Sequence, residues 1–509
     1  MRTHESVRGR AARMLVVLIA LVSACAQRAR PHGEELYDIV LANGRVIDPA
    51  SGLDGVRNVG LRGGQIAAIG VEPLAGRQTV DVSGLVVAPG FIDLHAHGQE
   101  TSSAWLQARD GVTTALDMEL GVFPVGEWYA SRAGTSPINY GAAVGHIPAR
   151  IKVKLGLDVG HRPTNLAFSE QLHQQRAWAY DTLAPDEMQK LVDVLDAGLR
   201  DGAPGIGLAI NYTPAAGRTE VWRVFQLGAA RGAPLFIHLR FLGPVEPGSG
   251  IEALQEVLAD AAATGAAVHV LHVTSMGLAQ TPTLLAMIEG ARQRGVDVSV
   301  EAYPYTAAST GLTSALFDPG WQERMGISYG DLQWTATGER LTKATFERYR
   351  KHPGGVIVHM IPQAAADQAV AHPLVMIASD GLPFRTGGEH PRGAGTFARV
   401  LGYYVRERGA LSLTDALRKM TIMPAHRLES YVPQMRHKGR LQVGADADIT
   451  VFDPRRVRDR ATYEHPMQPS EGIAHVLVGG VFVVRDAAPV ADALPGRPVR
   501  NPIAGVASQ

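Results

Sequence analysis

The 509-residue sequence predicts an α/β protein: a (β/α)8 barrel with a small composite β-sandwich built from both chain ends. Three observations carry that prediction. Eight short apolar, strand-like runs alternate with helical patterns through the middle of the chain, as expected of a closed parallel barrel rather than an open sheet. β-rich segments with glycine turns stand at both ends of this middle part. Finally, the histidines and acids capable of chemistry fall at the ends of the strand-like runs, where a barrel gathers its functional groups.

The chain starts with a segment that reads as a targeting signal over residues 1–25. Arg2, Arg8, Arg10 and Arg13 are a basic lead-in, and Met14 to Val22 is an apolar stretch too short to span a bilayer comfortably. It ends in Val22-Ser23-Ala24-Cys25, which resembles a bacterial lipobox. Cys25 is thus the expected lipidation site, and it is the single cysteine of the sequence. No intrachain disulfide can form, and no thiol is left to bind a metal. Ala26 and Gln27, with no Asp at the second place, fit a lipoprotein of the outer membrane facing the periplasm. Membrane contact is then expected only through that lipid.

After a polar linker (26–35), residues 36–88 are β-rich. In YDIVLANGRVID the Asn43-Gly44 pair reads as a hairpin turn between two extended runs. A matching segment at 437–486 contains GRLQVGADADITVFDP and IAHVLVGGVFVVRD, and completes the predicted sandwich. The barrel occupies 89–436, with strands at 91–97, 112–120, 138–146, 205–210, 235–240, 267–275, 296–305 and 374–380. APDEMQKLVDVLDAGLRDG and GIEALQEVLADAAATG are typical of the helices between them. The connection 306–373 is too long for one loop and reads as an active-site insertion with a helix at ATFERYRKH. After about Asp486 the Pro/Ala-rich tail is expected to pack loosely.

Basic and acidic residues number 49 each, which leaves no electrostatic footprint for nucleic acid. A small neutral or mono-anionic partner fits better. The sharpest local signal is FIDLHAH, where His95 and His97 share one strand face by the period of two and can grip one cation. On spacing alone a solvated polar pair is an equal reading. The rest of the chain decides: His238 closes the fifth strand, His272 lies late in the sixth and Asp380 ends the eighth, beside the first in a closed barrel. His269 and His272 are three apart and face opposite ways on a strand, so His272, nearer the end, is preferred. His146 reads as structural or supporting, and His390 as a loop residue near the site. Tyr303 and Tyr305 share a face and can both reach the pocket.

VVAPGFIDLHAH, the single histidines of strands five and six, and ASDG together resemble the amidohydrolase superfamily across nearly the whole mature chain. EAYPYTAAST and HPRGAGTFARVL resemble the N-acyl-D-amino-acid deacylases (D-aminoacylases), and HAHGQ with GVTTALDMELGVFPVGEWYA resembles N-acyl-D-glutamate deacylases. The resemblance implies one or two Zn²⁺ ions. His95 and His97 would hold one, His238 and His272 the second site, and Asp380 would touch both metal and catalytic water. Many D-aminoacylases place a metal-binding cysteine after the GVTT strand; here that stretch reads ALDMELG. Glu119 is the expected substitute, since a carboxylate can bridge two zinc ions, with Asp117 as the alternative. Thr274 stands where many relatives have a lysine. Arg392 resembles the arginine that pairs the amino acid's α-carboxylate, a two-point match for a guanidinium. Arg240 and Arg385 are weaker candidates for a side-chain carboxylate.

The implied activity is hydrolysis of an N-acyl-D-amino acid, preferentially N-acyl-D-glutamate, with Asp380 as general base and acid. Chirality is implied by the resemblance alone. Two other readings are a cyclic-amide or dipeptide hydrolase of the same superfamily, and an inactive lipid-anchored binding protein.

Overall fold

The computed structural model describes residues 36–159, 166–384 and 389–503. The expected signal segment and linker, with Cys25 and Arg385, lie outside the described residues. Eight parallel strands form the central sheet in chain order: Phe91–Asp93, Val112–Val122, Asn139–Gly145, Ile206–Ala209, Leu235–His238, Val268–Val270, Val298–Ala302 and Val375–Ile377. Every strand-like run of the middle region supplies one of them. Their residues are buried almost throughout, as expected when helices cover the outer face of a parallel sheet.

The sheet closes just beyond the hydrogen-bonded ends of strands eight and one. Ala96 bridges Gly381 in parallel, and the amide of His97 donates to the Gly381 carbonyl at 2.8 Å. Buried Asp93 ties the same seam, accepting from the amides of His95 and Ser379 at 3.0 Å each. Closure therefore sets the His95–His97 segment against Asp380.

The covering helices follow from amphipathic periodicity and capping. Pro185–Arg200 buries Leu191, Leu195 and Leu199 on one stripe. Gly250–Thr264 begins at Ser249, whose hydroxyl accepts from the Glu252 amide while Glu252 reaches back to the Ser249 amide, and it ends at Gly265 in the left-handed region. Such a cap contributes about 1 kcal/mol.

Both chain ends build one nine-stranded sheet, joined where Val86–Pro89 pairs antiparallel with Ile449–Phe452. It curls until Gln65 bridges Asp446, enclosing a separate core with Leu41, Val59, Ile66, Ile449 and Leu477. The expected Asn43-Gly44 hairpin is absent. Tyr37–Asp48 is one continuous strand, and Asn43 (φ 62°) is a bulge within it. Both halves pair with the same partner, Leu53–Arg62, and the Asn43 amide donates to Asn58 Oδ1. The chain reverses instead at residues 49–52.

The long connection after strand seven holds a three-stranded antiparallel sheet, with Gly355–Val358 between Ala308–Gly311 and Leu332–Trp334, and the helix Lys343–Tyr349. Over its described residues, to 503, the C-terminal segment is not loose. Val499 is fully buried and its carbonyl accepts from the Tyr129 hydroxyl at 2.7 Å, because this tail lies along strand three, where Tyr140 bridges Pro498.

Candidate metal centre

Glu119 lies on the long second strand, where the period of two aims it, with Asp117, into the barrel mouth. Its carboxylate is the hub of the site. One oxygen, Oε2, lies 2.9 Å from His95 Nε2 and 3.0 Å from His97 Nε2. The other, Oε1, lies 2.5 Å from His238 Nδ1 and 3.4 Å from His272 Nε2. Asp380 Oδ1 is 3.4 Å from both His95 Nε2 and His97 Nε2. Two groups result, His95–His97–Glu119–Asp380 and Glu119–His238–His272, with ligand atoms within 4.8 Å of one another in each. Glu119 belongs to both. Asp117 stands behind this hub: its Oδ1 is 3.2 Å from His97 Nδ1 and accepts from the amides of Leu120 and Gly121.

Several of these residues sit in strained or tightly held backbone. His272 and Asp380 have positive φ values, 29° and 52°, a region that costs a side-chain-bearing residue energy and that clusters at functional sites. The turn at His272 also answers the question of which strand-six histidine faces inward. The strand ends at Val270, so alternation does not extend to residue 272, and both histidines turn toward the interior. His272 faces Glu119, whereas His269 Nε2 lies 3.0 Å from Glu301 Oε2.

Glu301 was not legible as a site residue. It lies inside strand seven, is 1% exposed, and its Oε1 accepts from His95 Nδ1 at 2.6 Å. Ser299 Oγ pairs His269 Nδ1 at 2.7 Å, completing a buried chain Ser299–His269–Glu301–His95. An acid set between Val300 and Ala302 within a strand-like run is the signal that could have found it, since a buried charge requires partners. Such a partner fixes the ring orientation of a metal-binding histidine and directs its other nitrogen forward. Ser275 does the same for His272, with its Oγ 3.1 Å from Nδ1.

The charge balance suits a cation. Burial disfavours a charged His95, yet the carboxylates of Asp380, Glu119 and Glu301 raise it to about 10. Burial works against ionised Glu119 and Asp380 too. Surrounding histidines nevertheless hold Glu119 well below the carboxylate range, and Arg392 with His95 does so for Asp380. Glu301 is held at about 2 against burial by His95 and His269. Anionic oxygens facing imidazole nitrogens across a few ångströms in a buried cluster are a donor set that fits Zn²⁺.

Arg392 joins this cluster at the start of helix Arg392–Arg399. Its Nη1 is 2.9 Å from Asp380 Oδ2, its guanidinium lies 4.8 Å from the centre of the Tyr303 ring, and its buried Nε has no partner. Tyr303 lines the cavity over the site; Tyr305 does not. Strand seven ends at Ala302, so the shared face expected for the two tyrosines is lost. The Tyr305 ring instead packs on His390 and under the Arg399 guanidinium. His390 is buried by hydrogen bonds to Ala307 and Arg392 backbone. Arg240 pairs Glu256 at 2.8 Å, and His146 pairs Glu220 at 2.6 Å beside Arg150, so neither faces the cavity.

A family model described as the amidohydrolase family matches residues 78–484. The N-acyl-D-glutamate deacylase of Alcaligenes xylosoxydans xylosoxydans is 34% identical over 92% of this chain and 97% of its own. Among solved structures, the N-acyl-D-glutamate deacylase of Bordetella bronchiseptica, complexed with zinc and a phosphonate mimic of the tetrahedral intermediate, has TM-score 0.76 and 30% identity. It covers 92% of this chain and all of its own. A D-aminoacylase structure concerned with its binuclear metal centre has TM-score 0.76 and 27% identity, with the same coverage. With a barrel closed at that seam and a match spanning most of its length, the chain belongs to the amidohydrolase family.

Proposed function

We propose that the protein is a zinc-dependent deacylase that cleaves the linear amide of N-acyl-D-amino acids, with N-acyl-D-glutamate preferred. The observation that carries this reading is the Glu119 carboxylate shared between two histidine groups beside Asp380. The D configuration and the glutamate preference rest on the relatives' names and likeness. A site that retains every one of these groups gives no support to an inactive binding protein.

His95, His97, Glu119 and Asp380 would hold one ion, and Glu119, His238 and His272 a second. Zinc bound there supplies Lewis-acid polarisation of the amide carbonyl and lowers the pKa of an attacking water. The chain's own residues do the rest. Asp380 takes the proton from water as the water oxygen bonds to the carbonyl carbon. It returns that proton to the amide nitrogen as the carbon–nitrogen bond breaks, leaving a carboxylic acid and a free amine. The acid then gives up its proton to the amine, which leaves a carboxylate and an ammonium ion. Arg392, adjacent to Asp380 and with a buried donor to spare, would pair the amino acid's α-carboxylate from behind the cavity lining. Thr274, buried with an unpartnered hydroxyl, cannot supply the charge of the lysine many relatives carry.

Hydrolysis of N-acetyl and N-formyl amino acids in both enantiomers, with metal analysis of the same preparation, tests the reading. Turnover of D substrates by zinc-loaded protein is expected. A protein without bound zinc and without turnover on any of them would overturn it. The segment ending at Cys25 supports anchoring by lipid in the outer membrane, checked by palmitate labelling lost in Cys25→Ser.

A further inference from the structure

The cavity over the candidate metal centre is about 840 Å³, and Glu119, His238, His272 and Asp380 form part of its floor. Cavities of this size enclose drug-sized ligands. An N-acetyl amino acid is far smaller. The cavity surface is mostly apolar: Leu120, Ile147, Trp178, Leu242, Met276 and Leu316 contribute to its walls. Arg176 is the lone arginine or lysine among the described lining residues, and its guanidinium is taken up by the Tyr180 ring at 4.2 Å and hydroxyl.

On the side of strands seven and eight, the buried Tyr303 hydroxyl and Arg392 Nε have no partner; Arg392 stands behind the cavity lining and meets it through Asp380, 2.9 Å from its Nη1. The unpartnered hydroxyls of Ser309 and Ser314 belong to the insertion. The apolar wall comes from the end of strand two, from segments after strands three, five and six, and from the insertion. The order across the barrel mouth is therefore anion anchor, metal-binding groups, apolar chamber. An N-acyl amino acid laid across it has the same order: carboxylate, scissile amide, acyl chain.

We infer that the apolar chamber is an acyl-chain subsite, and that the substrates of this protein carry acyl groups much longer than acetyl, of the medium- or long-chain aliphatic class. This rests on the deacylase reading above. Burying a methylene against such a wall strengthens binding by at most about fourfold, so gains accumulate over several carbons until the chamber is full.

The test is a series of N-acetyl-, N-butanoyl-, N-octanoyl- and N-dodecanoyl-D-glutamate and the same series on D-alanine, assayed with the zinc-loaded full chain. N-octanoyl substrates are expected to exceed N-acetyl ones in kcat/KM by tenfold or more on both amino acids. Leu316→Gln and Met276→Gln, made separately in case one fails to fold, are expected to lower the octanoyl-to-acetyl ratio severalfold. Calorimetric binding of N-dodecanoyl-D-glutamate to metal-free protein provides a readout without turnover. Hydrolysis of N-acetyl substrates with no gain, or a loss, on lengthening the acyl group would overturn the subsite and leave the deacylase standing. So would a gain that follows bulky side chains, as in N-acetyl-D-phenylalanine, but not longer acyl groups. Binding of the dodecanoyl compound with no hydrolysis of any member would support the chamber and overturn the deacylase. Neither binding nor hydrolysis overturns both.

Discussion

Glu301 Oε1 lies 2.6 Å from Nδ1 of His95, in a contact from which water is excluded, so the imidazole of His95 is held by a carboxylate behind it while Nε2 faces the cluster. Outer partners of this kind typically contribute 10–100-fold to metal affinity. Glu301→Gln, which retains an acceptor but not the charge, is expected to weaken zinc binding by about tenfold, and Glu301→Ala by about a hundredfold. Chelator competition measures both. Wild-type affinity in the alanine variant would remove Glu301 from any positioning role.

Because both oxygens of Glu119 are shared between the two histidine groups, its loss should affect both at once. Glu119→Ala is expected to purify with less than half the zinc of the wild type under the same conditions, while Asp117→Ala retains most of it. Metal analysis of the two variants side by side decides whether the hub is assigned to the right acid.

Asp380→Asn retains the shape of the side chain and removes its ability to accept the water's proton. A drop in kcat of about 10²–10⁴ is expected, with the thermal transition unharmed. Near-normal turnover would refute the general-base role.

Away from the metal centre, Glu220 neutralises Arg150, which is completely buried, at 2.6 Å and also meets His146. Glu220→Ala leaves that guanidinium without a counter-charge, at an expected cost of about 3–5 kcal/mol. Urea unfolding measures it. A change below 1 kcal/mol would mean that the carbonyls of Trp178 and Asp181, which also accept from Arg150, satisfy it alone.

Burial pushes the Lys419 ammonium down to about 7, while its Nζ donates to the carbonyls of His372 and Val375, which a neutral amine can also do. In the unfolded chain it titrates near 10.4. Between these values the unfolded chain holds the extra proton, so the Lys419 contribution destabilises below about pH 7 and is relieved as pH rises toward 10. The limit is about 1.4 kcal/mol per pH unit. Lys419→Met is expected to flatten that rise between pH 7 and 10, read from unfolding free energies across the range. A slope equal to the wild type's would show that the amine stays charged in the fold.

Periodicity and chain order are local properties, and they were enough for the barrel. His95 and His97 lie past the end of strand one at Asp93, where bridges of His95 to Asp117 and of Ala96 to Gly381 hold the segment, and Asp380 meets them because the eighth strand must close on the first. Glu119 came from the resemblance, in place of a cysteine, since alternation on strand two aims Asp117 to the same face. Where regular structure stops, the rule stops with it. Tyr305 lies three residues past the end of its strand and turns away, and His272, after a strand that ends at Val270, turns inward with His269. The Asn43-Gly44 pair has the chemistry of a hairpin turn, yet one long partner strand holds both halves in line and makes it a bulge.

Contacts across long separations belonged to the folded chain alone. Glu301 reaches His95 over 206 positions, and Asp93 reaches the Ser379 amide over 286. A buried carboxylate is tolerable only with its partners in place, and no local pattern names them. The amino-acid order therefore marks which residues face the barrel mouth. Packing decided which of them meet, how Glu119 is shared, and how much apolar space remains beside it.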